Sequence, residues 1–149
     1  MEEGSLAPSE TVSFDLAPRL GEIVRMFGIV EAFGAKHGIP PSTLYQVTLV
    51  LDELITNIVS YGLEPGDSRP ITVALTHGAD AVTIALSDAG PPFDPRQVIP
   101  PDLEASLDER KVGGLGIHFA RTMMDSFDWR YHDGRNHVTL TKRIGEAAA

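Results

Sequence analysis

The most regular pattern of apolar and polar positions lies between residues 44 and 62. Apolar residues recur there every three or four positions, which predicts an amphipathic helix packed against a core. These residues are Leu44, Val47, Leu51, Leu54, Ile55 and Ile58. Gly62 follows the last of them and is predicted to end the helix. Glu53 and Asn57 are four residues apart, so they project together from the side opposite this apolar stripe.

Alternating apolar and polar positions predict strands elsewhere in the chain. The predicted strands cover residues 11–16, 71–75, 82–86, 127–131 and 137–142. Gly78-Ala79-Asp80 lies between the second and third of them and predicts an antiparallel hairpin. Asp133-Gly134-Arg135-Asn136 is predicted to join the last two.

Two further helices are predicted. Pro18 is expected to open the first, whose end is marked by Gly38 and the prolines that follow it. Its predicted apolar stripe is Leu20, Ile23, Val24, Phe27 and Val30. The glycine-rich run at 113–116 is expected to open the other helix, which continues through Met124.

The segment from Pro91 to Val112 contains five prolines, so it is predicted to be a long loop of the kind that covers a site. Strands in one layer and three helices in the other indicate an α+β sandwich of two layers. We expect a single domain over residues 11–144, with a flexible arm at 1–10 and a flexible tail at 145–149.

Composition narrows the possible partners. The chain has 149 residues, which suits one domain, and a formal net charge of −9 at pH 7. This charge disfavours nucleic acid and anionic membranes as partners. The absence of cysteine excludes disulfides, thiol catalysis and cysteine-ligated zinc. No apolar run reaches membrane-spanning length and the acidic start is unlike a signal peptide, so we expect a soluble, cytoplasmic protein.

Two polar clusters carry groups that suit catalysis or ligand binding. Glu53 and Asn57 offer a carboxylate and an amide oxygen, which suit a general base and a Mg²⁺ ligand, although an isolated pair of this kind is more often a solvated helix face. Asp88 ends a predicted strand, and Gly90 after it permits a close ligand approach. Such an aspartate can accept a hydrogen bond from an exocyclic amine such as that of adenine, or it can simply terminate the strand.

A third cluster lies at the start of the last predicted helix. Its members are Gly113, Gly114, Leu115, Gly116 and Ile117. Exposed backbone amides at a helix start favour a phosphate group. Arg110 and Lys111 precede the cluster and either add to this attraction or are merely solvated. The run is neither a Walker A loop nor a dinucleotide-binding fingerprint, because the residues and the strand that these motifs require are missing.

The three clusters, taken in this order, resemble the motifs of the GHKL (Bergerat-fold) ATPases. The matching residues are Glu53 and Asn57 of the N box, Asp88 and Gly90 of the first glycine box, and Gly114 and Gly116 of the second. Within that superfamily the chain is similar, over residues 11–143, to the anti-sigma-factor serine kinases of the RsbW type. The resemblance implies a Bergerat ATP-binding fold, with a mixed, mostly antiparallel sheet and three helices on one face.

The resemblance also implies roles for these residues. Asn57 would ligate Mg²⁺, Glu53 would orient or deprotonate the attacking hydroxyl, and Asp88 would hold the adenine amino group beside Gly90. The phosphate-binding positions would be Gly113, Gly114, Leu115, Gly116 and Ile117, with Arg110 and Lys111 beside them. The loop from Pro91 to Val112 would be a lid over the triphosphate.

The implied activity is that of an ATP- and Mg²⁺-dependent anti-sigma factor with protein serine/threonine kinase activity. It would act as a homodimer, phosphorylate a STAS-domain antagonist and bind a sigma factor. Pro92 replaces the second glycine of the first glycine box, which removes a backbone donor and stiffens the lid hinge. This departure leaves open a second hypothesis, a non-catalytic ATP-binding switch that sequesters a partner. A domain that binds no nucleotide is a third.

Overall fold

The computed structural model describes residues 10–97 and 121–144. In chain order the elements are β1 (Glu10–Leu16), α1 (Glu22–His37), α2 (Pro41–Asn57), β2 (Ile71–His77), β3 (Ala81–Asp88), β4 (Ser126–His132) and β5 (Arg135–Arg143). A π-helical turn at Ile58–Gly62 continues α2, and a 3₁₀ turn covers Pro95–Gln97. Residues 121–123 are helical and belong to the third predicted helix. The predicted α+β class is confirmed.

The five strands form one sheet in the order β1-β2-β3-β5-β4. All pairs within the described part of the sheet are antiparallel, so the parallel pairing implied by a mixed sheet is not found there. Two hairpins, β2–β3 and β4–β5, join edge to edge through β3 and β5. This junction places the end of β3 beside the start of β5, where the site forms.

One face of the sheet carries the core. The predicted alternation is confirmed, because alternate residues along most of β2, β3 and β5 are buried. The sheet contributes Leu16, Ile71, Val73, Leu75, Val82, Ile84, Leu86, Val138 and Leu140. From α2, Val47, Leu51, Leu54 and Ile55 are buried as predicted, while Leu44 and Ile58 are only partly buried. The buried stripe fixes the rotation of α2 and therefore where its polar side points.

The start of α1 differs from the prediction. The helix begins at Glu22 and not at Pro18. The Glu22 carboxylate accepts a hydrogen bond from the backbone N–H of Ala17 at 2.9 Å, and the Glu22 N–H donates to the carbonyl of Arg19 at 3.1 Å. These bonds close a turn between β1 and α1, so the residues after Pro18 are used in the turn.

The predicted apolar stripe of α1 is also partly wrong. Met26, Val30 and Phe33 form the buried side, whereas three of the predicted residues face outward. The exposed fractions are 52% for Leu20, 73% for Val24 and 38% for Phe27. Apolar residues lie on more than one side of this helix, so spacing alone does not decide which side packs against the sheet. We call Val24 and Phe27, together with Leu20 in the turn just before the helix, the outer face of α1.

None of the helices in the described ranges is long and apolar enough to span a membrane.

Candidate nucleotide site

The polar side of α2 carries the first pair of candidate residues. Glu53 and Asn57 project together, as the four-residue spacing predicts, and both are half-buried. The side-chain amide Nδ2 of Asn57 donates to the backbone carbonyl of Glu53 at 2.8 Å and to its carboxylate oxygen Oε2 at 3.2 Å. These bonds use the nitrogen of Asn57, so the described residues leave its Oδ1 as an acceptor or a metal ligand.

The environment of Glu53 changes its acidity. Partial burial raises the pKa of its carboxyl group, and the neighbouring negative charge of Asp52 acts in the same direction. The hydrogen bond from Asn57 opposes this shift by stabilising the charged form. A carboxylate with a raised pKa is a better proton acceptor than an exposed one, so Glu53 has the chemistry of a general base.

Asp88 lies at the end of β3 and is 6% exposed. Its Oδ1 accepts hydrogen bonds from the backbone N–H of Gly90 at 2.8 Å and from Nδ2 of Asn136 at 3.2 Å. Burial raises the pKa of the Asp88 carboxyl, while these two hydrogen bonds lower it. Both bonds reach the same oxygen, so Oδ2 is the oxygen that the surrounding described residues leave for a ligand.

The two motifs line one cleft between the end of α2 and the sheet. Its walls are Leu54, Asn57, Ile58, Gly62, Leu86, Asp88, Phe93, Pro95, Asn136 and Val138. Apolar side chains form most of this lining, and two amides and one carboxylate provide its polar groups. A flat aromatic base with an exocyclic amine suits such a lining, because it is held by apolar walls and oriented by a few fixed polar atoms.

The π turn after α2 closes one side of this cleft. Gly62 ends the helical path as predicted, although the last turn is π-helical and not α-helical. The carbonyl oxygen of Gly62 lies against the α-carbon of Gly90. π turns of this kind are frequent at functional sites. Here the turn brings the end of the first motif into contact with the second.

Asn136 is a site residue that the sequence interpretation missed. The turn between β4 and β5 contains only Asp133 and Gly134, whose φ values are 54° and 74°, and not the four residues that were predicted. Asn136 is therefore inside β5, directly opposite Asp88 in the sheet register. The Asp-Gly dipeptide is typical of two-residue hairpin turns and was the signal for this placement.

The third motif lies outside the described residues. This applies to Gly113, Gly114, Leu115, Gly116 and Ile117, and to Arg110 and Lys111 before them. Their proximity to Asp88 and Asn57 therefore stays a prediction. So does the lid beyond Gln97.

The donor set on α2 fits a magnesium ion. Mg²⁺ prefers hard oxygen ligands and is commonly held by one or two protein groups together with water and substrate phosphates. The Oδ1 atom of Asn57 is such an oxygen, and the Glu53 carboxylate is bonded to the same amide group. Asn57 also lines the cleft that contains Asp88.

Comparison with known proteins identifies the family. Residues 16–142 match the model of the histidine kinase-like ATPase domain. The serine/threonine-protein kinase BtrW of Bordetella bronchiseptica is 36% identical over 97 residues, which cover 65% of this chain and 68% of that protein. The serine-protein kinase RsbW of Listeria monocytogenes is 26% identical over 121 residues, which cover 78% of this chain and 76% of that protein.

Two solved structures share the fold. The RsbU and RsbW domains of a Mycobacterium tuberculosis protein match with a TM-score of 0.67 and 17% identity, covering 92% of this chain and 33% of that one. The SiaB–SiaC complex of Pseudomonas aeruginosa matches with a TM-score of 0.55 and 19% identity, covering 89% of both chains. The family match covers most of the chain: β2, β3 and β4 lie wholly within it, β5 lies within it except for Arg143, and β1 is reached only at Leu16. The chain belongs to the histidine kinase-like ATPase domain family.

Proposed function

We propose that this protein is an ATP-dependent protein serine/threonine kinase that phosphorylates a STAS-domain anti-sigma-factor antagonist. The observation that carries the proposal is the cleft that is lined both by the buried carboxylate of Asp88, whose Oδ2 the described residues leave for a ligand, and by the amide of Asn57. Two relatives are named as kinases, BtrW for serine or threonine and RsbW for serine. Their names support a hydroxyl group of a protein as the phosphate acceptor.

Each site residue then has one task. Oδ2 of Asp88 accepts a hydrogen bond from the adenine amino group, which positions the base in the apolar part of the cleft. Glu53 orients the acceptor hydroxyl and takes its proton, which suits its raised pKa. Asn57 would hold Mg²⁺ through Oδ1, and the ion supplies charge neutralisation to the phosphates. Phosphoryl transfer depends mainly on such positioning and neutralisation.

The remaining positions bind the triphosphate. Backbone amides of residues 113–117 hold the phosphates, Arg110 and Lys111 add positive charge, and the loop from Pro91 to Val112 closes over them. A sigma factor binds the same surface region as the antagonist, so phosphorylation of the antagonist leaves the kinase available to the sigma factor. With such partners we expect the protein to act in the cytoplasm.

The protein acts as a homodimer through the outer face of α1. Leu20, Val24 and Phe27 are large apolar side chains that the monomer leaves exposed. An adjoining groove, lined by Val12, Arg25, Gly28, Ile29, Ala32 and Phe33, extends this apolar surface to the edge strand β1. A second copy related by a two-fold axis would cover the same surface on both subunits.

A non-catalytic ATP-binding switch is the second candidate. Pro92 lacks the backbone donor of the glycine that it replaces at the hinge of the lid, so the contact that this glycine would make to nucleotide is lost. Such a protein would bind ATP and sequester its partner without transferring phosphate.

A phosphorylation assay separates the two candidates. The protein is incubated with radiolabelled ATP, Mg²⁺ and STAS-domain proteins of the same organism, and phosphoserine or phosphothreonine is located by mass spectrometry. We expect label on one STAS-domain protein and none with Glu53→Ala. The Asp52→Asn variant removes the adjacent carboxylate of the same helix and is expected to retain transfer. ATP binding without transfer to any tested protein would favour the switch.

A further inference from the structure

The side chain of Asn136 uses both ends of its amide group. The two hydrogens of its Nδ2 are shared among three acceptors, Oδ1 of Asp88 at 3.2 Å and the backbone carbonyls of Gly90 and Pro91 at 3.2 Å and 2.8 Å. Its Oδ1 accepts from the backbone N–H of Phe93 and from Nε1 of Trp129, both at 2.9 Å. The residue is 3% exposed. One buried side chain therefore connects β3, the start of the lid and β4.

The sequence of the lid base explains why this connection is needed. Pro91 and Pro92 have no backbone N–H, so this segment has two fewer backbone donors for its own carbonyls. Asn136 supplies a donor to two of these carbonyls and an acceptor to the first N–H that follows the prolines, that of Phe93. The conformation of the lid base is therefore set by a side chain from another strand.

We propose that Asn136 is the positioning residue of this site, which fixes the orientation of the Asp88 carboxylate and couples it to the base of the lid. This inference rests on the proposed function, since it assumes that Asp88 recognises an adenine amino group. With Oδ1 of Asp88 held by Asn136 and Gly90, Oδ2 keeps one direction toward the cleft. Recognition of the amino group then depends on Asn136, although Asn136 does not touch it.

Trp129 provides a reporter for this coupling. It is the only tryptophan of the chain, and its indole N–H bonds to the same amide oxygen as the N–H of Phe93. Any shift of Asn136 on nucleotide binding changes the hydrogen bond of the indole. Tryptophan emission should therefore change when Asp88 is engaged.

The experiment compares ATP with inosine triphosphate, which carries an oxygen in place of the adenine amino group. Dissociation constants are measured by calorimetry for the wild type, Asn136→Ser and Asn136→Asp, and emission of Trp129 is recorded in the wild type. The control is Thr139→Val, which lies on the exposed opposite face of β5. Circular dichroism confirms that each variant is folded.

We expect Asn136→Ser to weaken ATP binding about tenfold and inosine triphosphate binding less than about twofold, since only ATP uses the hydrogen bond to Asp88. Thr139→Val should match the wild type. If the binding of both nucleotides were weakened equally, Asn136 would have only a structural role. That result would overturn this inference and leave the proposed function standing.

If the variants do not fold, emission measurements on the wild type still test the inference. ATP should change the emission of Trp129 more than inosine triphosphate does at saturation. Calorimetric binding of ATP with no change in emission would overturn the coupling. A folded wild type that binds neither nucleotide would overturn the proposed function itself.

Discussion

The carbonyl oxygen of Gly62 lies so close to the α-carbon of Gly90 that a β-carbon at position 90 would overlap with it. The backbone of the π turn and the backbone after β3 are thus in direct contact. The π turn continues α2, which carries Glu53 and Asn57. The other segment directly follows Asp88. The distance between the two motifs therefore depends on the absence of a side chain at residue 90.

Gly90→Ala is expected to disturb both motifs at once. The added methyl group must push away a backbone atom, which cannot rotate aside as a side chain can, so we expect a loss of about 1–3 kcal/mol in the free energy of unfolding. Nucleotide affinity should fall as well, because the cleft widens. Urea denaturation and ATP titration measure the two effects.

Gly28→Ala is the matched control. Among residues 10–97 and 121–144, nothing lies within 4 Å of a β-carbon built at this position of α1. Replacing a helical glycine by alanine commonly stabilises a helix by about 0.5–1 kcal/mol. We expect this variant to be at least as stable as the wild type. A Gly90→Ala protein of wild-type stability and affinity would contradict the close contact.

Asp88→Asn is expected to make the protein more stable at neutral pH. Burial raises the pKa of Asp88 above its ordinary value of 3.8, so the folded state binds the proton more tightly than the unfolded state does. The wild type therefore loses stability relative to the variant as the pH rises from the ordinary value through the folded pKa. Below the ordinary value the difference should vanish. Thermal unfolding of both proteins across this pH range measures the difference in stability. If the wild type became more stable relative to the variant with rising pH, the raised pKa of Asp88 would be contradicted.

Glu53→Gln is expected to lower the rate of phosphoryl transfer by about a hundredfold or more, with little change in ATP affinity, since it removes the proton acceptor and keeps the shape. In the wild type, the fall in the rate of phosphoryl transfer at acid pH should occur at a pH above 4.5, the ordinary pKa of a glutamate carboxyl. Asp52→Asn removes a neighbouring negative charge and should move this fall to lower pH. A fall that does not respond to Asp52 would assign the titration to another group.

Val24→Glu is expected to produce monomers. The Val24 side chain is 73% exposed, so a charge there is tolerated by the monomer but not by an apolar interface. Glu31→Gln, at an exposed polar position of the same helix, is the control. Analytical ultracentrifugation should find a dimer for the wild type and the control. A wild-type monomer, or a dimer that survives Val24→Glu, would refute this interface.

The sequence predicted most of the scaffold because period-two and helical patterns report burial directly. The strands β2 and β3 and the stripe of α2 were recovered with nearly the right boundaries. The outer face of α1 was predicted as buried, because a helix with apolar residues on several sides does not say which side meets the sheet. Tertiary packing makes that choice.

The same limit applies to the site. Asp88, Glu53 and Asn57 were predicted because a motif marks each of them. Asn136 carries no motif and depends on a strand pairing between residues 48 positions apart in the chain. Only the register of β3 and β5 brings it beside Asp88. A stricter interpretation of Asp133-Gly134 as a two-residue turn would have placed it in the strand, but not next to its partner.

Calorimetric titration of ATP into the wild type and Asp88→Asn, each with and without Mg²⁺, tests the central claim most directly. We expect binding that strengthens with Mg²⁺ in the wild type and weakens by at least about tenfold in the variant, which stays folded but cannot accept a hydrogen bond from the amino group. Unchanged affinity in Asp88→Asn, or a folded wild type that binds no ATP, would contradict an adenine nucleotide site in this cleft.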